Sequence, residues 1–188
     1  MKVIVAAVSA LAVAVGLSGS ALAMGTGNYY LDHQTGVSYT VYQPGYTAGL
    51  TSVNFMGRTD CPAGIDEPLL ATYGKKTGTM FTIEEGDLRS CSDIGNGPTV
   101  YSFELRGQKA VLVAYCDPST VTMCKKGDVA KFGGHIEVTL PASSGLRPTT
   151  TWIETGGGRR NLTWRQMVAI ARSLHPVSQN STSPPPTT

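Results

Sequence analysis

Charge is scarce in this chain and nearly balanced: of 188 residues, 15 are Lys or Arg and 13 are Asp or Glu, a formal net charge of +2. No global field gathers nucleic acid or an anionic membrane, so nucleic acid is not expected as a partner. Histidine is scarcer still, with only His33, His135 and His175. A Ser-His-Asp triad has to use one of these three, yet no G-x-S-x-G elbow exists, and Ser143-Ser144-Gly145 reads as an ordinary loop. CxxC-like and Cys/His clusters are missing, which argues against zinc. The glycine stretch before Arg159 lacks Walker spacing and its Lys-Ser/Thr, and it does not lie in a βαβ unit, so no nucleotide cofactor is implied. The carboxylates offer only Asp66-Glu67 and Glu84-Glu85-Asp87. Neighbours on a strand point to opposite faces, so Glu84 and Glu85 do not flank one bond, and both are expected to be solvated hairpin charges. These absences leave no catalytic residue, no metal and no cofactor to assign. The chain does not read as an enzyme.

What is present begins with an apolar run from Val3 to Leu17, followed by small residues up to Ala21-Leu22-Ala23. At about 15 residues the run is shorter than the roughly 20 a membrane-spanning helix needs. It reads as a secretory signal peptide, residues 1–23, cleaved before Met24. The expected location is therefore secreted, extracellular or cell-envelope, with no transmembrane segment in the mature chain. About 165 residues remain, enough for one domain with its own core. Four cysteines, Cys61, Cys91, Cys116 and Cys124, fall in this exported part. An even number in an oxidising compartment predicts two disulfides. Cys116 with Cys124 is favoured because they flank a short polar loop, which leaves Cys61 with Cys91.

Residues 24–36 read as a loosely attached N-terminal arm. From residue 37 to residue 176 the pattern is that of a single β-rich domain, with strands expected over 37–43, 50–56, 69–73, 79–85, 99–105, 109–115, 134–140 and 149–154. The runs at 69–85 and 99–115 form hairpins. Ala110-Val111-Leu112-Val113-Ala114 is apolar on both faces and predicts a central strand. A helix follows over 164–174. Thr163 and Gln166 form a capping box at its start, the stripe Trp164, Met167, Val168, Ala171 and Leu174 recurs at helical spacing, and Pro176 stops it. Residues 177–188, rich in Ser, Pro and Thr, are expected to be disordered. The fold class is α+β: a curved, mainly antiparallel sheet whose concave face is covered by one C-terminal amphipathic helix, with two disulfides.

The run Tyr39-Thr40-Val41-Tyr42-Gln43-Pro44-Gly45-Tyr46-Thr47-Ala48-Gly49-Leu50 resembles the VYxPtYxPxGy opening of an uncharacterised domain family found in exported parts of bacterial envelope proteins, with Ala48 in place of a proline. Thr151-Trp152-Ile153-Glu154, the glycine turn, Leu162-Thr163 and the run Met167 to Leu174 are similar to the ending of that family. The resemblance covers roughly residues 37–176. It implies an exported β-rich domain with a helix and brings no catalytic residues.

The favoured functional expectation is a secreted, non-enzymatic cell-envelope or interaction domain whose partner is an envelope protein or polymer. Arg159, Arg160 and Arg165, gathered near the helix start, are its candidate anion-binding residues. The alternative is a carrier of a small apolar ligand held between helix and sheet, touching Trp164 and Met167. A secreted hydrolase is a third and weaker reading.

Overall fold

The computed structural model describes residues 27–57, 66–86, 94–117, 119, 123–156 and 158–177. The expected signal peptide, the C-terminal tail beyond Val177, and Cys61, Cys91 and Asp87 lie outside them. Nine strands and three short helices are described: α1 Tyr29–Gln34, β1 Tyr42–Pro44, β2 Ser52–Gly57, β3 Leu69–Gly74, β4 Met80–Gly86, β5 Thr99–Leu105, β6 Gln108–Ala114, α2 Val129–Phe132, β7 Gly134–Leu140, β8 Thr149–Thr155, α3 Trp164–Ser173 and β9 Leu174–Pro176. Seven strands form one sheet in the order β2-β3-β4-β8-β7-β6-β5, and every pairing in it is antiparallel. The α+β expectation holds at this level. No described helix is long and apolar enough to cross a membrane.

Strand alternation sorts side chains between two faces, and the register stacks those of one face into rows. Ala71, Ile83, Ile153, Ile136, Leu112 and Tyr101 line up across six strands from β3 to β5. This row is the spine of the core. Helix α3 lies against β7, β8 and β1, placing Met167, Ile170 and Ala171 on that face with no exposed surface. Thr163 caps α3 as the sequence predicts. Its hydroxyl accepts from Gln166 N–H at 3.3 Å while Gln166 Oε1 accepts from Thr163 N–H at 2.9 Å.

Four expectations are corrected. First, β6, which carries the apolar run Ala110 to Ala114, is not central: it lies second from the sheet edge, and the middle position belongs to β8. Alternating Thr149, Thr151, Ile153 and Thr155 face the core there with 0% exposure, while Thr150, Trp152 and Glu154 on the opposite face are half-buried. Second, residues 37–43 do not extend the large sheet. Only Tyr42–Pro44 forms a strand, and it pairs with β9 in a separate two-stranded ribbon, Tyr42 opposite Pro176 and Pro44 opposite Leu174. Third, the helix stops at Ser173, one residue earlier than expected, because Pro176 and the residue before it favour extended backbone. Fourth, the N-terminal arm is docked rather than loose. Asn28 caps α1 by accepting from Tyr30 and Leu31 N–H, and Tyr30 is 2% exposed.

The favoured disulfide is present. Cys116 and Cys124, with Cα atoms 6.0 Å apart, close the loop that runs from the end of β6 to a 3₁₀ turn at Lys126–Asp128. Asp128 lies close to both sulfurs, but sulfurs joined to each other are not metal ligands.

Candidate functional site

The basic group expected before α3 is divided by the structure and joined by residues that the sequence reading left in a turn. The loop after β8 returns to the β3–β4 turn, where Arg159 N–H donates to Lys76 O at 2.9 Å and Arg160 N–H to Gly78 O at 3.1 Å. Gly158 makes this approach possible: a Cβ there would lie 2.9 Å from Gly78 O and 3.1 Å from Met80 N. Lys75, Lys76, Arg159 and Arg160 therefore share one rim, and all four are exposed. No ion pair involving them is seen among the described residues. The two lysines, at the tip of a predicted hairpin, were readable as exposed charges; their proximity to the arginines was not, because it depends on a loop returning from a distant part of the chain.

Arg165 belongs to a different group. Its guanidinium lies 5.5 Å from the centre of the Trp164 ring, and the Lys126 ammonium sits 4.3 Å from that ring and 5.2 Å from Tyr101. Tyr101 meets Trp164 edge-on at 5.5 Å. Such cation–ring contacts stabilise by about 0.5–1 kcal/mol each at exposed sites. Trp164 is half-buried and already engaged. Met167, the other candidate ligand contact, is completely buried in the core. Two concavities, of about 410 and 230 Å³, open respectively beside the β5–β6 turn and beside Tyr29 and β2, and neither is lined by Trp164 or Met167.

On the sheet face opposite α3, Tyr115, His135 and Glu154 form a hydrogen-bonded chain that the sequence reading missed. Tyr115 O–H donates to Glu154 Oε1 at 2.8 Å, so its oxygen is left to accept from His135 Nδ1–H at 3.0 Å. Burial lowers the His135 pKa to about 4, and burial also raises that of Tyr115, with Glu154 adding to the effect. His135 is therefore a neutral imidazole with a fixed tautomer. Trp152, near it on the same face, keeps its indole N–H buried and without a partner. His135 pairs in register with Glu154 across β7 and β8, so the strand pattern carried this juxtaposition once the pairing was known.

The acidic pair is corrected too. Glu84 and Glu85 do point to opposite faces, but neither is solvated: Glu84 is 7% exposed and Glu85 0%. Glu85 shares the core face with Phe81 and Ile83, and that alternation was visible in the sequence. Asp66, by contrast, is a surface carboxylate. It accepts from Ser38 and pairs with Arg147 at 2.9 Å, and the Ser38 hydrogen bonds, then Arg147, hold its pKa below the usual range. His33 joins the docked arm to the sheet, its Nε2 2.8 Å from Tyr39 Oη and 3.0 Å from Glu67 O. His175, exposed in β9, has Nδ1 3.2 Å from Ser173 O at the end of α3. Comparison with family models, with curated proteins and with solved structures finds no match to this chain.

Proposed function

We propose that the protein is an exported binding module, not an enzyme, and that it engages an anionic polymer of the cell envelope through the rim of Lys75, Lys76, Arg159 and Arg160. The observation that carries this reading is the pair of backbone hydrogen bonds that brings two basic segments together and leaves their side chains exposed. Four cations held close attract a polyanion locally even though the chain is nearly neutral overall. The resemblance to exported envelope domains and the disulfide at Cys116 fit an oxidising compartment. The apolar-carrier reading gains no such support, since the helix stripe is packed against the sheet at Met167 and Ile170.

The test is binding of a soluble polyanion, polyglutamate or polyphosphate, at low and at physiological salt. Wild type is expected to bind at low salt and to weaken steeply as salt is added, because exposed charges are screened within about 10 Å at 0.1 M. Replacing all four residues by Ala is expected to abolish binding and leave the melting temperature nearly unchanged, because exposed charges contribute little to stability. Absence of low-salt binding by wild type, or undiminished binding by the variant, refutes the assignment.

A further inference from the structure

The Glu85 carboxyl is fully buried, and one of its two oxygens is without a partner among the described residues. It interrupts a core row, standing between Leu69 on β3 and Thr151 on β8. Oε2 accepts from Tyr42 N–H at 2.8 Å, while Oε1 is buried and has no partner. Directly across the strand pair, the Thr151 hydroxyl is also buried and also without a partner. The other two buried β8 threonines differ. Thr149 donates to Thr40 O, and Thr155 accepts from Leu162 N–H at 2.8 Å.

Among the described residues, the groups around Glu85 supply no counter-charge. Tyr30 of α1, Tyr39 and Tyr42 of the following segment, and Tyr73 of β3 all feel it electrostatically, and each is an acid. Tyr30 and Tyr73 join hydroxyls at 2.7 Å. Tyr39 Oη accepts from Leu69 N–H, and His33 Nε2 and Glu67 O complete its surroundings, with Asp66 farther out. Arg106 lies over the Tyr42 ring at 5.8 Å, and its guanidinium donates to Leu174 O rather than to Glu85. An ionised carboxylate wants several donors and has one here. A neutral carboxyl costs far less to bury than a charged one where only one hydrogen bond is available.

We propose that Glu85 is a protonation-controlled latch for residues 28–44: its neutral carboxyl lets the segment lie on the sheet, and its ionisation releases the segment. The segment supplies Tyr42 N–H to Glu85 and encloses it with Tyr30, Tyr39 and Tyr42, whereas β4 is held by its own ladders to β3 and β8. Lifting the segment hydrates a carboxylate without dismantling the sheet. Burial raises the folded pKa well above the ordinary carboxylate value, against a smaller opposing effect of the Tyr42 hydrogen bond. A group with a raised folded pKa favours the closed form at low pH, and that advantage declines as pH rises from the unfolded value toward the folded one.

The experiment is hydrogen exchange followed by mass spectrometry on the full mature chain from pH 5 to pH 9, corrected for intrinsic exchange, in wild type and Glu85→Gln. In wild type, protection of peptides from residues 39–44 and 174–176 is expected to fall as pH rises from the unfolded toward the folded value, by at most about tenfold per pH unit, the limit set by one proton. Protection in β7 and β8 is expected to change far less. Glu85→Gln, a neutral isostere, is expected to hold its protection constant. Infrared difference spectra of wild type minus Glu85→Gln at pH 5 are expected to show the carbonyl stretch of a protonated carboxyl. Equal loss of protection throughout the sheet, the same pH dependence in Glu85→Gln, a flat wild-type profile, or absence of the infrared band each overturns the proposal. Glu85→Met, a neutral side chain of similar length, covers the case in which the Gln variant fails to fold. It too is expected to hold its protection constant with pH, and a wild-type pH dependence in it counts against the latch.

Discussion

Met167 has no exposed surface, and Leu174, expected near a fraying helix end, is equally buried as the first residue of β9. Large-to-small changes at such sites lose transfer energy and leave a cavity. Met167→Ala is therefore expected to cost about 2–5 kcal/mol, and Leu174→Ala about the same rather than less. Thr163→Ala is expected to cost about 1 kcal/mol by removing an exposed cap that leaves Gln166 N–H open to water. Urea unfolding of the three variants checks the order. A Leu174→Ala cost close to that of Thr163→Ala would mean that β9 is not held in the core. The cap and the stripe were legible because both depend on neighbours three or four residues away. The place of Leu174 in a strand was not, since its partner Pro44 stands far back in the chain.

At the scale of elements, the same distinction separates what could be read from what could not. The β3–β4 and β5–β6 hairpins follow from alternation and turn residues, with Arg106 and Gly107 taking the positive φ angles of the second turn. Helix α1 hides in a stretch of Gly and polar residues, although Asn28 followed by Tyr-Tyr-Leu was a usable cap signal. The β1–β9 ribbon joins two three-residue strands that have no hairpin between them, so nothing local announces it. The ribbon has a specific consequence. Val177 N–H donates to Val41 O at 3.0 Å, and Gly45 N–H donates to Ser173 O at 3.1 Å, so the chain end after α3 fastens the first strand. Truncation after Val177 is expected to leave stability unchanged. Truncation after Ser173 deletes β9 with the Leu174 side chain and is expected to lower the urea midpoint and expose residues 39–44 to proteolysis. Equal resistance of both truncated chains would show that the ribbon stabilises nothing.

At the scale of the whole molecule, His135 and Glu85 lie on opposite faces of one sheet and push the pH dependence of stability in opposite directions. His135 has a depressed folded pKa of about 4 because burial disfavours its charged form. Its unfolded value is about 6.5, so the unfolded chain binds the extra proton between these limits. Stability from His135 is present above about pH 6.5 and lost as pH falls toward 4, a span of about 3 kcal/mol. Glu85 has a raised folded pKa, so its contribution declines as pH climbs above its unfolded value of about 4.5. Above about pH 4.5 the two slopes oppose each other, His135 adding stability with rising pH up to about 6.5 and Glu85 removing it up to its own raised value. His135→Gln removes one rising slope and is expected to show a smaller gain in stability from pH 4 to pH 6.5 than wild type, or a net fall. Urea midpoints measured from pH 4 to pH 8 for both proteins decide the matter: if His135→Gln leaves the profile below pH 6.5 unchanged, burial does not keep the imidazole neutral, and the pH dependence must come from other groups.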